Sequence, residues 1–405
     1  MLQSQGGLYR HRFRLRGKDG LPALPSMSVG KASASAHTVE QCKGGAPPLR
    51  CNTSQGNGTA AGTLTHVPSD AQVQAPDDSD VLRISAIGDV CAVGISPDTR
   101  RIVVACKGTI VLANAQTGKL LHKCNYSCHA AWCAIHAANF CPNGVYVVLG
   151  SADKTASIVD SRNGNKRHHI TGIHSGAILD ACFSPDGARV VLASADTTAS
   201  IVDAHTGDLQ LHIKGLHTAA INAARFSPDS SRLVLASADT TASVLDASTG
   251  DRLVHLQDIH DNAILAADFS PDGTWLVLGC ADGTVSVVNA DTQEERWYIH
   301  DEKKRPIRAV DFNLLALNEV IYSVGRVACV VDASTGHQLH KQGFESVHKD
   351  VVTHAFFGAI GCRAVLASAD NTVSVVTIRV RGRSPHTQHQ MFLLNQPLAR
   401  ACLFS

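Results

Sequence analysis

From about residue 90 onward, short apolar runs of five or six residues alternate with tight polar turns. Arg189-Val-Val-Leu-Ala-Ser and Arg232-Leu-Val-Leu-Ala-Ser are β-prone runs bounded by Pro-Asp turns on one side and Ala-Asp-Thr on the other. Ala199-Ser-Ile-Val-Asp follows, then the turn Ala204-His-Thr-Gly, then Leu209-Gln-Leu-His-Ile. Ahead of the Pro-Asp turn lies Ala177-Ile-Leu-Asp-Ala-Cys-Phe, which mixes small apolar with polar side chains. Four short strands joined by tight turns predict one small antiparallel sheet.

That sheet recurs. Phe183-Ser-Pro-Asp-Gly, Phe226-Ser-Pro-Asp-Ser and Phe269-Ser-Pro-Asp-Gly follow one another at 43 residues, with Phe140-Cys-Pro-Asn-Gly 43 residues before them and Phe312 43 residues after. Ile95-Ser-Pro-Asp and Phe357-Gly extend the series with a two-residue indel at each end, giving seven units at a spacing of 43 to 45. One such sheet cannot bury both of its faces, whereas seven stacked around an axis can, and closing the ring leaves only short edges. The expectation is all-β: a seven-bladed β-propeller of four-stranded antiparallel blades over residues 80–380. Val81-Leu-Arg-Ile stands where an outer strand closing the last blade is expected, and is preferred over Met391-Phe-Leu-Leu for that place.

The flanks differ in kind. Residues 1–79 are rich in Ser, Ala, Gly and Pro without periodicity, which predicts disorder. They open with Arg10, Arg12, Arg14, Arg16 and Lys18, so a basic tail is expected, with an organellar transit peptide as the alternative. Residues 381–405 read as a tail, or as a partial extra repeat, because Leu398-Ala-Arg-Ala-Cys-Leu-Phe-Ser resembles the start of another first strand.

With 36 basic and 35 acidic residues, no general attraction to nucleic acid or to an anionic membrane is expected. No apolar run approaches the ~18 residues of a membrane span. The thirteen cysteines have no paired spacing, and Cys141, Cys280 and Cys329 stand where neighbouring units carry Ser. This favours buried thiols in a reducing compartment, the cytoplasm, over a disulfide framework.

The units resemble WD repeats: a His before the first strand, a Phe-Ser-Pro-Asp-Gly turn, a Ser-x-Asp-x-Thr turn and a strand ending in Asp. The resemblance implies a structural hydrogen-bond network within each blade. Its positions are His174, Ser194 and Asp196; His217, Ser237 and Asp239; and His348, Ser368 and Asp370, each with a His-to-Asp interval of 22 residues. His260 and Asp282 keep the interval with Cys280 as the third member, and His129, Ser151 and Asp153 fit with two extra residues. The Trp that names the family is absent from every copy, its place taken by Ala113, Val159, Val202, Leu245, Val288, Val331 and Val376. Unit six also carries Gly325 in place of the Asp.

A Ser, a His and an Asp also suggest a hydrolase triad. Five copies at near-constant register, without a Gly-x-Ser-x-Gly elbow, point to framework instead. The segment from His122 through Cys124, Cys128, His129 and Cys133 to His136 is dense in metal-ligand types, but its spacing matches no common zinc pattern. No catalytic, metal or cofactor site is expected. The charged run Asp301-Glu-Lys-Lys-Arg-Pro-Ile-Arg enters unit six, and Lys303, Lys304, Arg305 and Arg308 are candidates for meeting an acidic or phosphorylated peptide. The expected role is a non-catalytic scaffold for other proteins or peptides, part of a multiprotein complex. The alternative is an enzyme or small-ligand binder using the central channel, as the faintly quinoprotein-like Asp-Ala-x-Thr-Gly turns at Asp203, Asp246 and Asp332 suggest. Channel positions read mostly as Ala and Val, which weighs against that alternative.

Overall fold

The computed structural model describes residues 81–85, 88–125, 134–314, 318–339, 347–358 and 363–378. These form seven antiparallel sheets in a ring, a seven-bladed β-propeller. Blade one comprises Val90–Ile95, Arg101–Cys106, Thr109–Asn114 and Leu120–Asn125, from the axis outward. Blades two to five begin at inner strands Ile135–Phe140, Ile178–Phe183, Ile221–Phe226 and Ile264–Phe269, and each has four strands. Blade six, Ile307–Phe312, Glu319–Val324 and Val327–Asp332, departs from this pattern. Among the described residues it has three strands plus a single antiparallel bridge between Val331 and Gln338.

Blade seven joins the two ends of the propeller. Val352–Phe357, Arg363–Ser368 and Thr372–Thr377 come from the C-terminal side, and Val81–Ser85 supplies the outer strand with Val81 opposite Val376 and Ser85 opposite Thr372. Closure therefore uses the upstream strand; the rival segment at 391–394 lies outside the described residues, as do residues 1–79 and 381–405.

Burial explains the strand composition. Second and third strands sit between neighbouring blades, so Val190, Val191, Leu192 and Ala193 are all sealed, and the run reads as continuously apolar. Outer strands such as Leu209–Ile213 show most residues to solvent. The positions left by the missing Trp are all buried, from Ala113 and Val159 to Val376, so aliphatic packing between blades fills them.

An arginine clamp ties blade to blade. The first residue of a second strand reaches the turn of the next blade: Arg101 Nη2 donates to the Gly144 carbonyl at 2.9 Å, and Arg189 Nη1 to the Ala247 carbonyl at 2.8 Å. Arg232 pairs with Asp291, and Arg363 donates across the ring closure to the Thr99 carbonyl at 3.3 Å. Arg101, Arg189 and Arg232 also lie over Phe140, Phe226 and Phe269, with the guanidinium carbon 5.2–5.8 Å from the ring centres.

Candidate functional site

The repeated polar residues converge where each entry loop meets the turn between second and third strands. In blade three, Asp196 accepts from the Ser175 amide at 2.6 Å and from Thr198 Oγ1 at 2.6 Å, while His174 Nδ1 lies 3.4 Å from its carboxylate. Blade four repeats this, with Asp239 accepting from the Thr218 amide at 2.8 Å and His217 Nδ1 at 3.1 Å. In blade seven Asp370 accepts from the Lys349 amide at 2.7 Å, with His348 Nδ1 at 3.6 Å. In blade two Thr155 Oγ1 donates to Asp153 at 2.6 Å; the intended partner, His129, lies outside the described residues.

The hydroxyl that meets the imidazole is not the expected one. His174 bonds Thr198 Oγ1 through Nδ1 at 2.9 Å and Ser200 Oγ through Nε2 at 2.8 Å, and His260 treats Thr284 and Ser286 in the same way at 2.7 and 2.9 Å. Ser194, Ser237 and Ser368 instead accept from the amides of Asp196, Asp239 and Asp370 at 3.2 Å each. The second-strand Ser therefore braces its own turn, and a third-strand Thr and Ser hold the ring. The Thr was legible as part of the Ser-x-Asp-x-Thr turn; the second Ser falls where Trp-containing repeats set no expectation. In blades four and seven the corresponding atoms, His217 Nε2 with Ser243 Oγ and His348 Nε2 with Ser374 Oγ, find no partner.

The channel corrects a second expectation. Ala and Val do line it, but so do His136, Asn139, Asp180, Arg225, Asp311 and His354, around a cavity of about 300 Å³. The charged groups come mainly from the third and fifth positions of inner strands, and most reach across to the next blade. Asp180 pairs with Arg225 and accepts from the Ala224 amide at 3.0 Å. Asn139 donates to the Ala181 carbonyl at 2.8 Å, Asp268 accepts from the Phe312 amide at 3.2 Å, and Asp311 from the Phe357 amide at 2.6 Å. Asp268 and Asp311 also hydrogen-bond each other. Burial first, and then the neighbouring Asp268, raises the Asp311 carboxyl well above its ordinary range. Burial likewise pushes His354 down to about 4, leaving it neutral. Asn139, Asp180, Arg225, Asp268 and Asp311 act as staples between blades.

The charged run entering blade six divides. Asp301 is buried and binds Arg305 doubly, through Nε at 3.0 Å and Nη2 at 2.8 Å, while the Arg305 amide donates to the same carboxylate at 2.9 Å. The Arg305 side chain lies against Gly325, where a Cβ would come within 3.0 Å of it. In the blade that lacks the His-Asp pair, this ion pair ties the entry loop down, so Arg305 is bound up rather than free to meet a peptide. Lys303, Lys304 and Arg308 are exposed, Arg308 at the channel wall. Exposed Arg326 and Lys349 adjoin them, and Arg326 Nη1 donates to the Lys349 carbonyl at 3.2 Å. Of the ligand-rich segment between blades one and two, His122 and Cys124 stand on one blade's outer strand and His136 on the next blade's inner strand; Cys128, His129 and Cys133 lie outside the described residues.

Four stretches, residues 118–160, 165–203, 210–246 and 251–289, match the model of the WD domain, G-beta repeat. The chain carries four WD repeats within its seven-bladed propeller. Each matched stretch runs from the outer strand of one blade through three strands of the next, so the repeat is offset from the blade by one strand. That offset is why a displaced outer strand must close a WD-repeat ring. WD-repeat propellers are generally interaction scaffolds and typically non-catalytic. No curated protein matches the chain.

Proposed function

We propose that this WD-repeat propeller is a non-catalytic adaptor within a multiprotein complex, and that it holds an acidic or phosphorylated segment of a partner at the entry face of blades six and seven. One observation carries the reading. Lys303, Lys304, Arg308, Arg326 and Lys349 are exposed together there, with Glu302 and Asp350 as the exposed acids among the described residues of the same loops, because Asp301 is buried on Arg305. Long cationic side chains on a rigid rim suit carboxylates and phosphates. The balanced overall charge argues against a general attraction to nucleic acid or membrane. The buried thiols suit a reducing compartment, and we place the protein in the cytoplasm.

The test is affinity purification of the full chain beside a Lys303→Glu/Lys304→Glu/Arg308→Glu variant, with co-purifying proteins identified and peptide affinity measured at two salt concentrations. The variant is expected to bind about tenfold or more weakly and to lose most of the salt dependence. Equal recovery of the same partners by both chains overturns the assignment of this face. The polar channel supports a second reading, a small polar ligand held between Asp311, His354 and Arg225. The inter-blade bonds of Asp311 and Arg225 rank it second.

A further inference from the structure

We propose that blade five holds a zinc ion between His260, Cys280 and Asp282. One ligand atom from each of these residues lies within 4.8 Å of the others. Imidazole nitrogen, thiolate sulfur and carboxylate oxygen are the donor types Zn²⁺ takes, at about 2.0–2.3 Å each. Tetrahedral bonds of that length place donors roughly 3.3–3.8 Å apart, so a contraction of about 1 Å brings the three around an ion.

The arrangement belongs to this blade. At the place of Cys280, blades three, four and seven carry Ser194, Ser237 and Ser368, and a neutral hydroxyl is a poor zinc ligand. The replacement is a thiol, fully buried, with Sγ 3.2 Å from the Asn262 carbonyl oxygen of the same entry loop. That carbonyl, or a water admitted on the partly exposed Asp282 side, offers the fourth position. The turn also differs in its side chain: the left-handed position, shared with the sister blades, is held here by Gly283, where a Cβ would meet the Lys304 backbone at 2.9 Å. In blades three and four that place is Thr197 and Thr240, and in blades two and seven Lys154 and Asn371.

Binding exchanges bonds already present. His260 releases its Nδ1 contact with Thr284, 2.7 Å long, or its Nε2 contact with Ser286. Cys280 gives up its thiol proton to solvent as the Zn–S bond forms, one H⁺ per ion, with no change of oxidation state. The ion would clamp the blade-five entry loop to its turn. That turn in turn holds the blade-six loop, through the Asp301 amide donating to the Gly283 carbonyl at 2.8 Å. The inference stands on blade five alone and is independent of what binds the cationic face.

The experiment uses the full chain, stripped with a chelator and titrated with Co²⁺ and then Zn²⁺. The expected result is one equivalent of Co²⁺ with a thiolate-to-metal charge-transfer band and the intense visible bands of tetrahedral cobalt, displaced by Zn²⁺, and a melting temperature that rises with Zn²⁺. Cys280→Ser recreates the residue of the sister blades. It is expected to melt like the parent in chelator, to lose the charge-transfer band and to show no rise with Zn²⁺. A parent without the band overturns the proposal, and so does a Cys280→Ser protein that keeps the band, which would place the thiolate on another cysteine.

Discussion

Removing the Asp239 carboxylate tests whether the recurring polar residues are framework. Its Oδ2 accepts from the Thr218 amide at 2.8 Å and faces His217 Nδ1 at 3.1 Å; its Oδ1 accepts from the Thr241 amide at 3.1 Å and hydroxyl at 2.7 Å. Burial works against the charge, yet the bonds from Thr241 and Thr218 and the nearby His217 outweigh it and hold the group at about 2 rather than 3.8. The side chain is 11% exposed, so solvent screens little of this. The gap amounts to about 2 kcal/mol of preference for the charged form. Asp239→Asn keeps the shape and loses that preference, so it is expected to cost about 2 kcal/mol at pH 7. Asp239→Ala also leaves the Thr218 and Thr241 amides unpaired, raising the cost to about 3–5 kcal/mol. Because the folded-state value lies below the unfolded one, the stabilisation is complete above pH 3.8 and is lost as pH falls through about 2. The parent and the Asn variant should therefore converge in acid. Urea unfolding at pH 7 and at low pH reads both effects as midpoint shifts at unchanged slope. Asp251→Ala, at an exposed position outside the network, is the control. An Asp239→Ala protein with the parental midpoint refutes the framework reading, as does an Asn variant whose deficit at pH 7 persists undiminished at pH 2.

The paired channel carboxyls behave in the opposite sense. The raised Asp311 value means that stability is present at low pH and lost as pH rises from the ordinary carboxyl range through the folded-state value, so Asp311→Asn should be tolerated at pH 7 and should flatten the decline with rising pH seen by thermal melting. A large loss at pH 7 would show that the carboxylate form is the one required. On the inner strand of blade one, Gly94 lets the neighbouring backbone approach, since a Cβ there would sit 2.3 Å from the Ala138 carbonyl oxygen. Gly94→Ala must push blades one and two apart and is expected to cost about 1–3 kcal/mol by denaturant midpoint; a neutral variant would mean that the blades shift freely.

Much of the architecture was legible because it is local and repeated. A sheet of four short strands is written within one unit of 43 residues, and the recurrence of Phe-Ser-Pro-Asp-Gly counts the units without reference to any contact between them. The Ser-x-Asp-x-Thr turn announced the carboxylate of each network for the same reason: Asp196, Ser194 and Thr198 are neighbours in the chain. Ring closure by Val81–Ser85 was also within reach, because an orphan strand precedes the first full unit.

What the sequence alone could not assign is what lies between units. Arg189 lies over Phe226 and bonds the Ala247 carbonyl, 58 residues along the chain; Asp311 bonds Phe357, 46 residues on. Such pairs meet only once the ring has formed, and no local periodicity encodes them. The channel read as Ala and Val because those residues recur, whereas Asp180, Arg225 and His354 each occur once per ring and Asp311 is matched only by Asp268, so all look like noise in a repeat alignment. Arg305 reads as one more exposed cation until Gly325, in the turn of the same blade, leaves room for its ion pair with Asp301. The repeat determined the blade, and the tertiary structure decided the seams, because a seam is a property of two copies that differ.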